Sequence, residues 1–316
     1  MRVVTAAEID AHLTFPALVA ALAQAFAGDI VTPMRHHHEI GTGEDHATLL
    51  LMPAWTGRAP GKGGFLGTKI VNVFPGNGTI GLPAVLGTYI LMSGETGAPL
   101  AALDGTRLTH WRTAAASALA TRFLARADAS RLTLVGAGAL APFLARAHAS
   151  QRPIRSVNVW NHRPERAVSL AKALEAEGFE ARAEADLETA VRGGDIISCA
   201  TLSSAPLVKG DWLQPGAHLD LVGAFNMAMR EADDAAVAKA AVYIDTAAAM
   251  TEGGDVALAL KSGAITPAHI QGTLFDLCRG ARIGRTDATS ITLFKAVGTA
   301  LEDLAAAILV WQKVTA

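Results

Sequence analysis

The chain has 316 residues, enough for about two domains with separate cores. Its 27 basic and 29 acidic residues leave a formal net charge of −2, which argues against a nucleic-acid or anionic-membrane partner. Two cysteines, Cys199 and Cys278, are too few for a disulfide framework or a zinc site, and no apolar run approaches the ~20 residues that span a bilayer. The expectation is a globular, cytoplasmic protein.

Residues 5–27 have helical spacing, with Thr5 as N-cap and Glu8 completing a capping box. From Ile30 to Leu103 short β-like runs follow: Thr48–Met52, Phe65–Phe74, Ala84–Met92 and Leu100–Leu103. Turns such as PGNG at 75–78 and SGETG at 93–97 separate them, which predicts an antiparallel sheet. Three consecutive histidines, His36–His38, cannot converge on one ion when strand neighbours point apart, so no metal is expected there. Thr113–Ala125 is strongly helical.

From Arg131 the rhythm turns to β-α-β, with strands expected at 132–135, 156–160, 195–199, 218–222 and 241–245. That alternation predicts an α/β fold with a doubly wound parallel sheet of the Rossmann type. Ser290–Val314 reads as one long amphipathic helix that returns to the N-terminal sheet. The first domain is therefore expected to be discontinuous, α+β, over residues 1–115 and 288–316, with the dinucleotide domain at 116–287.

The strand Leu132–Val135 runs straight into Gly136-Ala137-Gly138-Ala139-Leu140-Ala141 and a helical pattern. This is the G-x-G-x-x-A form of the dinucleotide fingerprint, in the required order of strand, turn and helix. Gly136 permits the turn, and Gly138 lets the backbone approach a pyrophosphate. Small Ala141 lets helix and strand pack closely, with the helix N-terminus facing the anion. Ala139 and Leu140 of the same turn belong to the expected cofactor site. The second strand normally ends in an acid that binds the adenosine ribose. Here it ends in Asn161-His162-Arg163-Pro164-Glu165-Arg166. A guanidinium at Arg163 or Arg166 suits a 2′-phosphate that a carboxylate would repel, so NADPH is favoured, with NADH as the alternative. The other reading makes Arg163 and Arg166 solvated residues opening a helix. Thr201 and Gly223 follow the fourth and fifth strands at the carboxyl edge, where ligands bind in open α/β folds. Cys199 reads as a small buried hydrophobe, and Asp220 as a weak catalytic candidate.

Further motifs together resemble the ornithine cyclodeaminase/μ-crystallin family. They are Met34-Arg35, Leu51-Met52-Pro53-Ala54, Lys69 with Asn72, Pro75-Gly76-Asn77, Gly81-Leu82-Pro83 and Asp104-Gly105. Arg112-Thr113-Ala114-Ala115-Ala116-Ser117, the GAGALA turn, Phe294–Gly298 and Glu302-Asp303 extend the resemblance nearly end to end. It implies a substrate and dimerisation domain completed by the C-terminal helix, a Rossmann domain and a homodimer. It also implies that Arg35 and Arg112 bind a substrate carboxylate, with Lys69 beside the reacting carbon and nitrogen and Met52 in the pocket. Thr88, Thr113, Asn161, Arg163, Thr201 and Gly223 lie at or beside family cofactor positions.

Ornithine-deaminating members carry Asp two residues beyond the glycine of the fifth-strand turn. Here Phe225 stands there, in Gly223-Ala224-Phe225, which resembles the Δ1-pyrroline-2-carboxylate reductase branch. The expected activity is NADPH-dependent reduction of a small cyclic imino acid, Δ1-pyrroline-2-carboxylate first and Δ1-piperideine-2-carboxylate second, to proline or pipecolate. Alternatives are an ornithine cyclodeaminase, an alanine-dehydrogenase-like enzyme, or a non-catalytic NADPH-binding protein like μ-crystallin.

Overall fold

The computed structural model describes residues 1–42, 47–57 and 63–316. The chain divides into two compact units, Met1–Thr113 with Thr299–Ala316, and Ala114–Gly298. The expected discontinuity of the first unit is present, but its edges move. The first lies at 113/114 rather than 115/116, inside a helix. The second lies at 298/299 rather than 287/288.

The first unit begins with strand β1 (Arg2–Val4) and helix α1 (Ala6–His12). Thr5 and Glu8 form the expected capping box, with the Glu8 carboxylate accepting from the Thr5 N–H at 2.9 Å. The helix expected over 5–27 is two helices. Leu13 and Thr14 are extended, and Thr14 with the Phe15-Pro16 start opens α2 (Phe15–Ala27), because proline fits a first turn but not a helix interior. Strands β2 (Ile30–Val31), β3 (His36–Ile40), β4 (Ala47–Thr56), β5 (Phe65–Val73), β6 (Val85–Ser93) and β7 (Pro99–Asp104) follow. They form a seven-stranded sheet in the order β1-β7-β6-β5-β4-β2, with β3 also paired to β4. Helix α3 (Gly105–Leu124) starts eight residues before the segment read as helical, at Gly105.

One face of this sheet is buried. Cross-strand register aligns Met52, Lys69, Tyr89 and Leu103 in one row and Ala54, Gly67, Leu91 and Ala101 in the next. All eight are buried, and the C-terminal helix, Ala300–Val314, packs across β4, β5 and β6. A Cβ at Gly67 would strike the Tyr89 hydroxyl, which explains a glycine in mid-strand.

The second unit holds β8 (Arg131–Val135), α4 (Ala141–Ala149), β9 (Ser156–Trp160), α5 (Pro164–Ala176), β10 (Glu180–Ala183), α6 (Leu187–Gly193), β11 (Ile196–Cys199) and β12 (His218–Leu221). Then come α7 (Asp234–Lys239), β13 (Ala241–Ile244), α8 (Gly254–Ser262), β14 (Ile270–Thr273), α9 (Leu274–Cys278) and β15 (Thr292–Lys295). The eight strands are all parallel, in the order β10-β9-β8-β11-β12-β15-β13-β14. Val135, Ile197, Leu219, Leu293 and Val242 are among the residues of its core.

The long helix expected over Ser290–Val314 is a correction. Thr292–Lys295 is a strand between β12 and β13, and the helix begins only at Ala300. Gly298 turns the chain at φ +78°, and the Thr299 hydroxyl caps the helix. All four strand residues are buried, so the segment carries no alternating pattern to distinguish it from a helix.

Candidate active site

Strand β5 delivers Lys69 to the covered face of the first sheet, where it is 2% exposed. Its Nζ lies 2.7 Å from Asp303 Oδ2. Helix α3 delivers Arg112, whose Nε donates to Asp303 Oδ1 at 2.9 Å and whose Nη1 donates to Glu302 Oε2 at 2.8 Å. Glu302 and Asp303 stand in the first turn of the C-terminal helix, both fully buried. Among the described residues, two cations and two carboxylates thus meet with little access to solvent.

The charges set the proton affinities. Burial and the neighbouring Arg112 charge bring Lys69 down to about 8, against the opposing pull of Asp303. Burial works to raise Asp303, but Lys69 and Arg112 outweigh it and hold it below the ordinary carboxylate value. Burial opposes the charge on Arg112 too, and Asp303 with Glu302 more than restores it. Burial first, then Asp303, pushes the Tyr89 phenol well above its usual value, and its hydroxyl is buried without a hydrogen-bond partner. A lysine titrating about 8 can hold a transferable proton near neutral pH.

The structure brings Lys69 and Arg112 together on one carboxylate, with Met52 beside Lys69 in the strand register. Arg35 is half-buried and immediately precedes β3, whose first residue, His36, pairs with Leu51. His36, His37 and His38 lie on an exposed strand, with the His36 and His38 rings 6.2 Å apart. Thr88 and Thr113 also belong to the first unit. Thr88 is exposed on β6 and Thr113 half-buried on α3. His110 lies on α3, held below its usual value by burial and then by Arg107.

The remaining expected cofactor residues stand in the second unit. Gly136 adopts φ +111°, and a Cβ there would come within 2.7 Å of the Ala200 carbonyl oxygen. Gly138 faces open space, and Ala139 and Leu140 lead into α4. A pyrophosphate fits this turn: the backbone at exposed Gly138 and Ala139 is approachable, and the N-terminus of α4 follows directly. Asn161 follows β9 and is buried, while His162, Arg163 and Arg166 are exposed at the start of α5. Phe225 is 44% exposed in the loop after β12.

Thr201 differs from expectation in one respect. Its N–H and hydroxyl both donate inward, to Glu231 Oε1 at 2.6 and 3.0 Å. Gly223 N–H donates to Glu231 Oε2 at 2.7 Å. Asp220, considered as a catalytic acid, is fully buried and accepts from Ser117 and Ser198 at 2.9 and 2.6 Å, with His148 Nε2 at 3.3 Å. It is a structural acceptor in the sheet core. Cys199 is buried, and burial then Glu231 push its thiol well above its usual value, which removes it as a nucleophile.

Sequence reasoning found Lys69 and Arg112 but gave no role to Glu302, Asp303, Glu231, Asp255 or Lys295. The fingerprint marks a glycine turn by local spacing. An ion pair such as Arg112–Asp303, 191 residues apart, leaves no such mark.

The ornithine cyclodeaminase/mu-crystallin family model matches residues 1–316. The chain belongs to the ornithine cyclodeaminase/mu-crystallin family. It is 37% identical to a Δ1-pyrroline-2-carboxylate reductase of Paracoccus denitrificans, over 86% of this chain and 85% of the relative. It is 33% identical to the ketimine reductase mu-crystallin of Rattus norvegicus, over 96% and 92%. Among solved structures, the Thermococcus litoralis Δ1-pyrroline-2-carboxylate reductase in complex with NADH and L-proline superposes with a TM-score of 0.93. That match has 31% identity and covers 100% of this chain and 98% of the other.

Proposed function

We propose that this family member reduces a small cyclic imino acid with NADPH, Δ1-pyrroline-2-carboxylate first and Δ1-piperideine-2-carboxylate second. The chain is an oxidoreductase acting on CH–NH bonds, as its reductase relatives are. The observation that carries the substrate reading is the convergence of Lys69 and Arg112 on Asp303. Arg112 and Arg35 bind the substrate carboxylate. Two of the Arg112 nitrogens are fixed by Glu302 and Asp303, which sets the guanidinium plane before a ligand arrives. Lys69, titrating about 8, holds a proton at Nζ for the ring nitrogen. Asp303 keeps that lysine oriented. Met52, beside Lys69, contributes apolar surface for the ring.

When bound, the dinucleotide supplies the hydride that converts the C=N carbon to CH–NH. Gly136, Gly138, Ala139 and Leu140 receive the pyrophosphate, and Thr88, Thr113, Asn161, His162, Thr201 and Gly223 complete the cofactor set. Arg163 and Arg166 support NADPH over NADH, because both are exposed where a ribose-binding acid would stand. Phe225 supports imine reduction over ornithine deamination, since it offers a distal ammonium neither charge nor proton transfer. Exposed Phe74, Ile80, Leu82, Val85 and Leu86 on the first unit support a homodimer. The free cysteines suit the cytoplasm.

The test is NADPH oxidation with both cyclic imines, ornithine, and keto acids with ammonia. Rapid turnover of the five- or six-membered imine, with negligible ammonia release from ornithine, is expected. Ornithine conversion at a rate comparable to imine reduction would overturn the assignment.

A further inference from the structure

Beneath the dinucleotide turn lies a second group of buried charges that the proposed reaction does not use. Glu231 is fully buried, and its carboxylate accepts four hydrogen bonds from two loops. Thr201 supplies two, from N–H and hydroxyl, while Gly223 and Ala224 supply backbone N–H groups at 2.7 and 3.3 Å. The Glu231 backbone is held in turn. Asp255 Oδ1 accepts from the N–H groups of Glu231 and Ala232 at 2.7 and 2.9 Å. Asp255 Oδ2 lies 3.1 Å from Lys295 Nζ at the end of β15.

The packing places this assembly under the glycine turn. A side chain at Gly136 would press on Ala200 and the Thr201 methyl. One at Gly223 would strike the Thr201 backbone and the Glu231 carboxylate. Gly136, Thr201, Gly223 and Glu231 thus form a contiguous stack at the carboxyl ends of β8, β11 and β12.

We infer that Glu231 is a positioning residue for the nucleotide. Its carboxylate ties the loop after β11 to the loop after β12 and fixes the floor on which the dinucleotide turn rests. The inference rests on the reading of GAGALA as a nucleotide site and deepens it. Four donors aimed at two oxygens require acceptors at both. An amide would turn an NH₂ toward one loop and break its contacts. The charged groups around the carboxylate are Asp255 and Lys295, and the neutral Cys199 thiol is the further titratable group beside it. Burial and Asp255 raise Glu231 to about 7 against Lys295, so its ionisation is poised rather than permanent.

The experiment is direct titration of NADPH and NADH fluorescence with wild type, Glu231→Gln and Glu231→Asp at pH 8, alongside thermal melts. Glu231→Gln should weaken NADPH binding at least tenfold, with the KM for imine at saturating nucleotide within twofold of wild type. Glu231→Asp keeps the charge but withdraws it from the loops, and should lie between the two. Wild-type nucleotide affinity in a folded Glu231→Gln protein would overturn the inference. Should that variant fail to fold, Glu231→Asp decides: a several-fold loss supports the positioning role, and wild-type affinity overturns it. A wild-type protein that binds neither nucleotide refutes the nucleotide reading itself, an outcome distinct from equal binding by wild type and variant.

Discussion

Each unit buries a cluster of charges, and the two clusters differ in their arithmetic. Among the described residues of the first unit, Lys69 and Arg112 meet Glu302 and Asp303, two cations against two anions. In the second, Lys295 alone faces Asp255 and Glu231. The balanced cluster holds Asp303 ionised below its usual value and leaves a lysine as the group nearest neutrality. The unbalanced one has an anion in excess, and burial pushes Glu231 up to about 7. Desolvation acts on both clusters alike, so the count of partners decides which group titrates. The first arrangement suits proton donation to a substrate, and the second suits holding backbone N–H groups.

The largest effect comes from breaking the balance in the first unit. Asp303→Asn leaves Lys69 and Arg112 buried with one acid between them, and breaking a buried pair costs about 3–5 kcal/mol. Urea denaturation should show a loss of that order. A loss under ~1 kcal/mol would mean that water enters the cluster and the charges are not truly buried. Lys69→Met does the converse, leaving two acids and one cation as in the second unit. Turnover should fall about a hundredfold or more while nucleotide affinity is unchanged, because general acid catalysis contributes about 10²–10⁴. Unchanged kcat would remove Lys69 from the mechanism.

What the sequence made legible follows the same division between local and distant causes. The Thr5–Glu8 cap, the strands around Lys69 and the GAGALA turn are encoded within a few residues, and each stands where local chemistry places it. Strand β15 was hidden because it is buried on both faces, so its four residues show no period. The partners of Lys69, Arg112 and Glu231 were hidden because they arrive from the C-terminal helix or from other loops after folding. Glu302 and Asp303 are visible as two acids opening a helix, which the helix dipole alone would explain. Nothing local tells such a pair from a catalytic scaffold.

Arg163→Ala sharpens the comparison by acting on neither cluster. It should reduce the preference for NADPH over NADH by about ten- to hundredfold, the worth of a charged hydrogen bond, and leave the urea midpoint alone. Equal kcat/KM for the two nucleotides in wild type would refute the 2′-phosphate role before any variant was made.

The smallest effect is a slope rather than a loss, and it reads the unbalanced cluster directly. Glu231 has its folded value raised from 4.5 to about 7. Below 4.5 both folded and unfolded states hold the proton, and above 7 both have released it. Between those limits the folded protein binds more protons than the unfolded chain, so stability falls as pH rises, by at most ~1.4 kcal/mol per pH unit. His218 acts in the opposite sense, since burial lowers it from 6.5 to about 3 and its contribution to stability rises with pH across that interval. The two partly cancel in wild type between 4.5 and 6.5, so a single stability curve would mislead. The difference between wild type and Glu231→Gln removes the histidine from the comparison. That difference should drift steadily in favour of the glutamine variant from pH 5 to pH 7 and then level off. A flat difference across that interval would mean that Glu231 titrates as an ordinary acid despite its burial.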